Sequence, residues 1–224
     1  LGGKTTASNS VAIGKDAKLA NTTSSGSVAV GNYSLKSQST GYSNVAMGYE
    51  AAEETTTGNN NTAIGHQALI ANTTGSANVA VGAAALDANT TGDNNVAFGY
   101  YALSAATTAD KNTAIGYYAA ADVTTGVRNT AVGSEALRQK TTSTDNTALG
   151  FQAMFNSSEA DHNTCVGASA GYNISTGEYN TIVGSAAGDA ITVGDENVAM
   201  GYGALTCLLY TSPSPRDLST SRMP

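Results

Sequence analysis

A mainly β fold, a parallel β-solenoid or β-roll of twelve 17-residue coils, is predicted by three observations. The first is a fixed period. A five-residue phrase, clearest as Asn61-Thr62-Ala63-Ile64-Gly65, recurs with its glycine at Gly14, Gly31, Gly48, Gly65, Gly82, Gly99, Gly116, Gly133, Gly150, Gly167, Gly184 and Gly201, always 17 residues apart. A period kept without insertion or deletion marks one small unit stacked many times. The second is composition. With 12% charged and 6% aromatic residues and no Trp in 224 residues, the chain has too few large apolar groups for an ordinary globule, yet is too regular for disorder. Coils that each bury a few residues against their neighbours reconcile the two. The third is the phrase itself, a short β-branched run bounded by Asn and Gly, which reads as a strand.

The strand phrase comes first in each coil. It begins with Ser10 and Ser27 in the first two coils, then with Asn44, Asn61, Asn78, Asn95, Asn112, Asn129, Asn146, Asn163, Asn180 and Asn197. The next position varies between Val and Thr (Val45, Thr62, Val79, Thr113). Ala follows, broken only by Cys165 and Ile182, and then a large apolar residue such as Met47, Ile64, Val81, Phe98 or Ile115. Side chains alternate along a strand, so Val/Thr and Ile/Val share one face while Asn, Ala and Gly share the other. Large branched side chains gain most from burial, so Ile64 and its equivalents are expected inward, against Ala68 and Leu69. That leaves a smooth strip of Asn, Ala and Gly outside. The reverse, Ala inward in a very thin coil, is the alternative. In the first arrangement Ile64, Val81, Ile115, Leu69 and Leu103 are buried and Thr73, Asp93 and Glu135 are exposed. Replacing Ile115 by Ala then costs about 2–4 kcal/mol.

Two variable positions follow the glycine, then Ala and usually Leu, as in Ala68-Leu69, Ala102-Leu103 and Ala136-Leu137. Ala and Leu favour helix, so a short helical or 3₁₀ turn is expected as the second side of the coil. A polar link closes it, often Asn-Thr-Thr-Gly, with glycine at Gly41, Gly58, Gly75, Gly92, Gly126, Gly177 and Gly194. A positive φ is expected there. Equivalent strands then lie parallel, about 4.8 Å apart, and twelve span roughly 50–60 Å. The Asn column is expected to be a structural ladder, its amides bonded to each other and to the backbone turn; a ligand surface is the functional alternative.

Several function classes find no residues to carry them. A net charge of −7 and a pI near 4.6 lack the basic face that nucleic-acid binding needs. No apolar run approaches the roughly 20 residues of a membrane span, so no membrane insertion by this segment is expected. No HExxH, GxSxG or P-loop pattern appears, and no acidic pair recurs at fixed spacing. The chain is therefore expected to be no enzyme and to need no cofactor or metal. His66 and His162 stand at different repeat positions and read as solvated surface residues. Cys165 takes an Ala slot and reads as a small buried hydrophobe. One local cluster stands out: Tyr100-Tyr101 and Tyr117-Tyr118 occupy the same two positions of adjacent coils. They form a candidate contact patch for a sugar or protein partner, or shield the coil corner by stacking on each other.

The period ends at Leu205-Thr206. Cys207–Pro224, CLLYTSPSPRDLSTSRMP, resembles an in-frame translation of a transposase-based sequencing adaptor, in which TGT-CTC-TTA-TAC-ACA-TCT reads Cys-Leu-Leu-Tyr-Thr-Ser. Two segments are therefore expected: a repeat solenoid over 1–206, a fragment open at both ends, and a non-native, unstructured tail over 207–224.

The run NNTAIGHQALIANTTGSANVAVGAAALDANTTGDNNVAFGYYAL resembles the 17-residue NTAIGxxAL repeats of phage and bacterial tail-fibre-like proteins. The likeness covers nearly all of Ser10 to Leu205. In that family the repeats often precede an endosialidase-type intramolecular chaperone that trimerises the fibre. SVAIGKDAKLA and SVAVGNYSL also resemble, in the strand phrase only, the head repeats of trimeric autotransporter adhesins, which form a parallel β-roll. The resemblance implies a homotrimer, located outside the cell on a virion fibre or bacterial surface. It implies a stiff shaft or head that spaces or presents a receptor-binding part, the receptor being a host-surface glycan or protein. It transfers no catalytic residue. An ice-binding solenoid is the alternative, because Thr pairs recur in rows (Thr56-Thr57, Thr73-Thr74, Thr90-Thr91, Thr107-Thr108, Thr124-Thr125). Adjacent members of a pair, however, point to opposite faces of an extended strand.

Overall fold

A computed structural model describes residues 9–206 except Asn21, Lys140 and Ser158; the adaptor-like tail lies outside the described residues. Twelve three-residue strands, from β1 (Val11–Ile13) through β7 (Thr113–Ile115) to β12 (Val198–Met200), form one parallel sheet in strict chain order. Each strand pairs with the equivalent residues of the next coil, Thr113 with Thr130 and Ile115 with Val132. The fold is a parallel β-solenoid with one strand per coil. Glycine sets the closeness of the stack. Gly116 has φ 138°, and a Cβ there would lie 2.5 Å from the Gly133 carbonyl oxygen.

The strand faces the other way from the first expectation. Ala63 and Ala114 are fully buried, whereas Ile64 and Ile115 are 37% and 40% exposed; Val81 is half-buried. The reverse assignment is the one that holds. Its cause is the Asn column. Asn shares strand parity with Ala, and its amide must reach the interior to bond the backbone, so Ala turns inward with it. The interior is then only wide enough for Ala from the strand and Ala plus Leu from the opposite side. Leu69 and Leu103 are fully buried, as expected. Thr73, Asp93 and Glu135 are half-buried rather than exposed, because each is engaged by adjacent residues. The Thr73 hydroxyl donates to the Thr90 carbonyl at 3.0 Å. Asp93 accepts the Ser76 amide at 2.6 Å. Glu135 accepts from Arg138 and Gln152, both at 2.7 Å.

The segment after the glycine is not helical. It is a chain of overlapping turns: Ser34 N–H donates to the Gly31 carbonyl, Lys36 to Tyr33 and Gln38 to Leu35, at 3.2–3.4 Å. Tyr33 and Leu35 between them have φ 63° and 46°. A helix needs consecutive residues near φ −60°, and alternate left-handed residues exclude one. The alternation has a use. Leu35 N–H donates to Ala51 O and Ser37 N–H to Glu53 O in the next coil, at 3.1 and 2.9 Å. Half of the amides thus serve the turn and half the stack. The helix propensity of so short a segment is too weak to compete with that.

The link glycines also differ from expectation. Positive φ falls two residues later, at Asn60 (58°), Ala77 (58°) and Asn94 (60°). Glycine is favoured at the link by crowding: a Cβ on Gly75 would sit 2.5 Å from the Gly92 carbonyl oxygen and 2.8 Å from Asn89 Nδ2.

In several coils a small residue at one core position is matched by a larger one three residues on, or the reverse. Leu69 and Leu86 lie three residues before the small polar Asn72 and Asn89. Ala120 precedes Val123, and Gly171 and Gly188 precede Ile174 and Ile191, all buried except that the two glycines have no side chain to bury. Ile182 fills the same vacancy from the strand, and a Cβ on Gly171 would lie 2.6 Å from Cys165 Sγ and 2.8 Å from Ile174 Cδ1. Gly171→Leu is therefore expected to destabilise by about 2–4 kcal/mol through overpacking. Combining it with Ile174→Asn and Ile182→Ala restores the pattern of the earlier coils and should recover more than half of that loss. Urea denaturation of the single and triple variants measures the difference.

Candidate functional site

The Asn column runs inside the stack. The Asn61 amide donates to Asn44 Oδ1 at 2.8 Å, and Asn61 Nδ2 donates to the Gly75 carbonyl at 2.8 Å. The same backbone bond links Asn78 to Asn61, Asn95 to Asn78, Asn112 to Asn95, Asn129 to Asn112, Asn146 to Asn129, Asn163 to Asn146, Asn180 to Asn163 and Asn197 to Asn180, at 2.8–3.1 Å. Each carboxamide thus accepts from the next coil and donates to the link that closes its own. An ionised Asp could only accept and an apolar residue could do neither. Asn44 to Asn180 are buried, so the column offers no outer surface to a ligand. Ser27 Oγ takes the acceptor role at the start, 3.1 Å from the Asn44 amide. The sequence reading misses a second buried pair: Asn89 Nδ2 donates to Asn72 Oδ1 at 2.8 Å. Its signal is the first letter of Asn-Thr-Thr-Gly, which also looks like a glycosylation acceptor; both amides are sealed in the folded chain.

The aromatic cluster is outside. Tyr100 and Tyr117 stack at 5.7 Å with planes 9° apart, and Tyr101 and Tyr118 at 5.2 Å and 3°. Tyr100 and Tyr117 are exposed; Tyr101 and Tyr118 are half-buried. The structure brings together all four residues that the sequence singled out, and adds Arg138. Its guanidinium lies 4.6 Å from the centre of the Tyr118 ring and 2.7 Å from Glu135, so a charged plane closes that end of the stack. The column through Tyr100 also contains Tyr49 and His66, stacked at 5.5 Å and 12°. His66 is exposed, and His162 stacks on Tyr179 at 4.8 Å.

Electrostatics around these columns are mild. The Arg128 guanidinium beside Asp145, 2.6 Å away, holds that carboxyl below its ordinary range. Burial pushes Asp87 above it, against two backbone hydrogen bonds that lower it. Among the described residues no three His, Cys, Asp or Glu side chains converge to hold a metal ion.

The largest exposed feature is the outer face of the sheet. Ile13, Met47, Ile64, Phe98, Ile115, Leu149 and Met200 stand exposed in one file, Phe98 by 55%. The Val/Thr file beside them is mostly half-buried. The expected strip of Asn, Ala and Gly is therefore replaced by large apolar side chains. At a strand spacing of about 4.8 Å, twelve rungs make this strip roughly 53 Å long. The remaining members of the file, among them Val81 and Val132, are half-buried, and an exposed apolar strip of such extent is a candidate interaction face. No family model, no curated protein and no solved structure matches this chain.

Proposed function

We propose that the chain is a structural and adhesive shaft, a stiff segment that associates with copies of itself through the outer sheet face and spaces or presents a receptor-binding part. The exposed apolar file from Ile13 to Met200 carries this reading. Regular strand pairing keeps the file continuous from coil to coil, and a cyclic arrangement lets one such strip per chain close on itself. The likeness to trimeric fibre and adhesin repeats supports a number of three and a setting outside the cell, on a virion fibre or bacterial surface. Because the coils resemble one another, neighbouring shafts can slip by one coil at little cost, so a trimerising module is needed for registration.

Residues 1–206 fused to a C-terminal trimerising module are expected to sediment as a trimer. Phe98→Lys with Ile115→Lys should prevent lateral packing of the shafts, seen as a lower sedimentation coefficient, while leaving the circular dichroism spectrum unchanged. A wild-type shaft that sediments as splayed monomeric arms, indistinguishable from the double variant, would overturn the reading. Regular Thr rows favour ice binding as a second reading. Against it, the first hydroxyl of each pair is already used: Thr56, Thr73 and Thr90 donate to the next coil's carbonyl at 3.0 Å. Thermal hysteresis in the double variant would turn the choice toward it.

A further inference from the structure

Aromatic rings fill the column beside the apolar file at four of five consecutive coils. Tyr49 and His66 occupy the first two, and Tyr100 and Tyr117 the last two. Between them stands Ala83, followed by Ala84 and Ala85. The walls of this gap are the ring planes of His66 and Tyr100, two strand spacings or about 10 Å apart. A ring placed midway lies about 5 Å from each wall, inside the stacking range of aromatic pairs. The rings on either side show the fit, being stacked at 5.5 and 5.7 Å with planes 12° and 9° apart. The gap is therefore one ring high, and its occupant would complete a five-ring column.

The stretch of chain that holds the gap is acidic. Between Lys36 and Lys111 the chain has six acidic residues and no Lys or Arg. Glu53 is paired with Lys36 at 2.8 Å, but Asp87 belongs to the same coil as Ala83 and has no salt bridge among the described residues. The next aromatic stack shows how the protein closes such a space itself. Arg138 covers the face of Tyr118 and pairs with Glu135. The coils between Lys36 and Lys111 supply no Lys or Arg to do so at Ala83.

We infer that the Ala83 gap between His66 and Tyr100 is a docking site for one aromatic side chain of a partner protein, carried on a segment with flanking Lys or Arg. The ring stacks between the two walls, and the basic flanks meet the acidic surface around Asp87. This builds on the display role proposed above and adds a specific contact to it.

The test uses the full chain and two blocked tripeptides, Ac-Lys-Tyr-Lys-NH₂ and Ac-Glu-Tyr-Glu-NH₂, titrated by NMR with the His66 ring protons as reporter. The basic peptide should bind in the millimolar range or tighter, at least tenfold more tightly than the acidic one. Ala83→Tyr fills the gap with a residue the column already accepts at Tyr100, so the fold is kept and binding should fall at least tenfold. Ala83→Ser, matching Ser134 and Ser185 of the same column, should bind like wild type. Equal affinity of Ala83→Tyr and wild type would overturn the site, since only surface charge would be acting. Equal affinity for the two peptides, or no binding of either at 10 mM (about 3 kcal/mol of standard binding free energy), would overturn it as well. Sedimentation of the same samples reports self-association separately, so failure of the docking site and failure of the shaft reading are distinguishable.

Discussion

Gly116→Ala is expected to destabilise the stack by about 3–5 kcal/mol, among the larger effects a single methyl group can have. Two costs add. At φ 138° an L-residue is in a region that is essentially glycine's alone, at about 1–3 kcal/mol. The new Cβ would also lie 2.5 Å from the oxygen and 2.6 Å from the carbon of the Gly133 carbonyl, and backbone cannot rotate aside as a side chain can. Relief would require the two coils to separate, which lengthens the 2.8 Å bond from Gly133 N–H to Ile115 O. Gly126→Ala is the control. Its Cβ would also meet a backbone carbonyl, that of Ser143, but the column already accommodates Ala109 and Ala160 and its φ is not positive, so only crowding acts and a smaller cost, about 1–3 kcal/mol, is expected. Urea titrations followed by circular dichroism decide the matter. Equal losses for the two variants would show that the glycine after the strand is not special.

Asn112→Leu ranks second, at about 3–5 kcal/mol, as the sum of two buried groups left unpaired at about 1–3 kcal/mol each. The side chain is nearly isosteric and already buried, so the loss is polar. The Asn129 amide, 2.8 Å from Asn112 Oδ1, loses its acceptor, and the Gly126 carbonyl, 2.8 Å from Asn112 Nδ2, loses its donor. Asn112→Ser should lose less, because Ser27 fills the acceptor role in an earlier coil. Hydrogen exchange gives a local readout: the Asn129 amide should lose protection in the Leu variant more than in the Ser variant. Unchanged protection at Asn129 in both would remove the ladder from the account of stability.

The architecture was legible because a 17-residue period admits one reading, a stack. Which face of the strand points inward was not, because two physical arguments opposed each other. Burial energy favours Ile64 inside; the hydrogen-bonding needs of the link favour Asn61 inside, and Asn61 carries Ala63 with it. Apolar area scales with the side chain, at about 25 cal/mol per Å², but the interior of so thin a coil cannot take an Ile from the strand as well as a Leu from the turn. Ile182 shows the exchange: it turns inward only where Gly171 and Gly188 replace Leu. The turn after the glycine misled for a related reason. Ala and Leu suit the core by their size, and their helix propensity is incidental to it. The four tyrosines were legible as a group from spacing alone. Arg138 was not, since it belongs to a different column and reaches Tyr118 only in three dimensions.

The strand, turn and Asn ladders all run along the axis, each joining one coil to the next. A pull between the two ends therefore loads every rung in series, and the weakest coil yields first while the others keep their bonds. One coil freed to full extension releases roughly 55–60 Å of chain for its 17 residues, on the order of ten times the height it occupied in the stack. A stack built in this way gives ground in many separate lengths under a tug that would snap a single rigid joint.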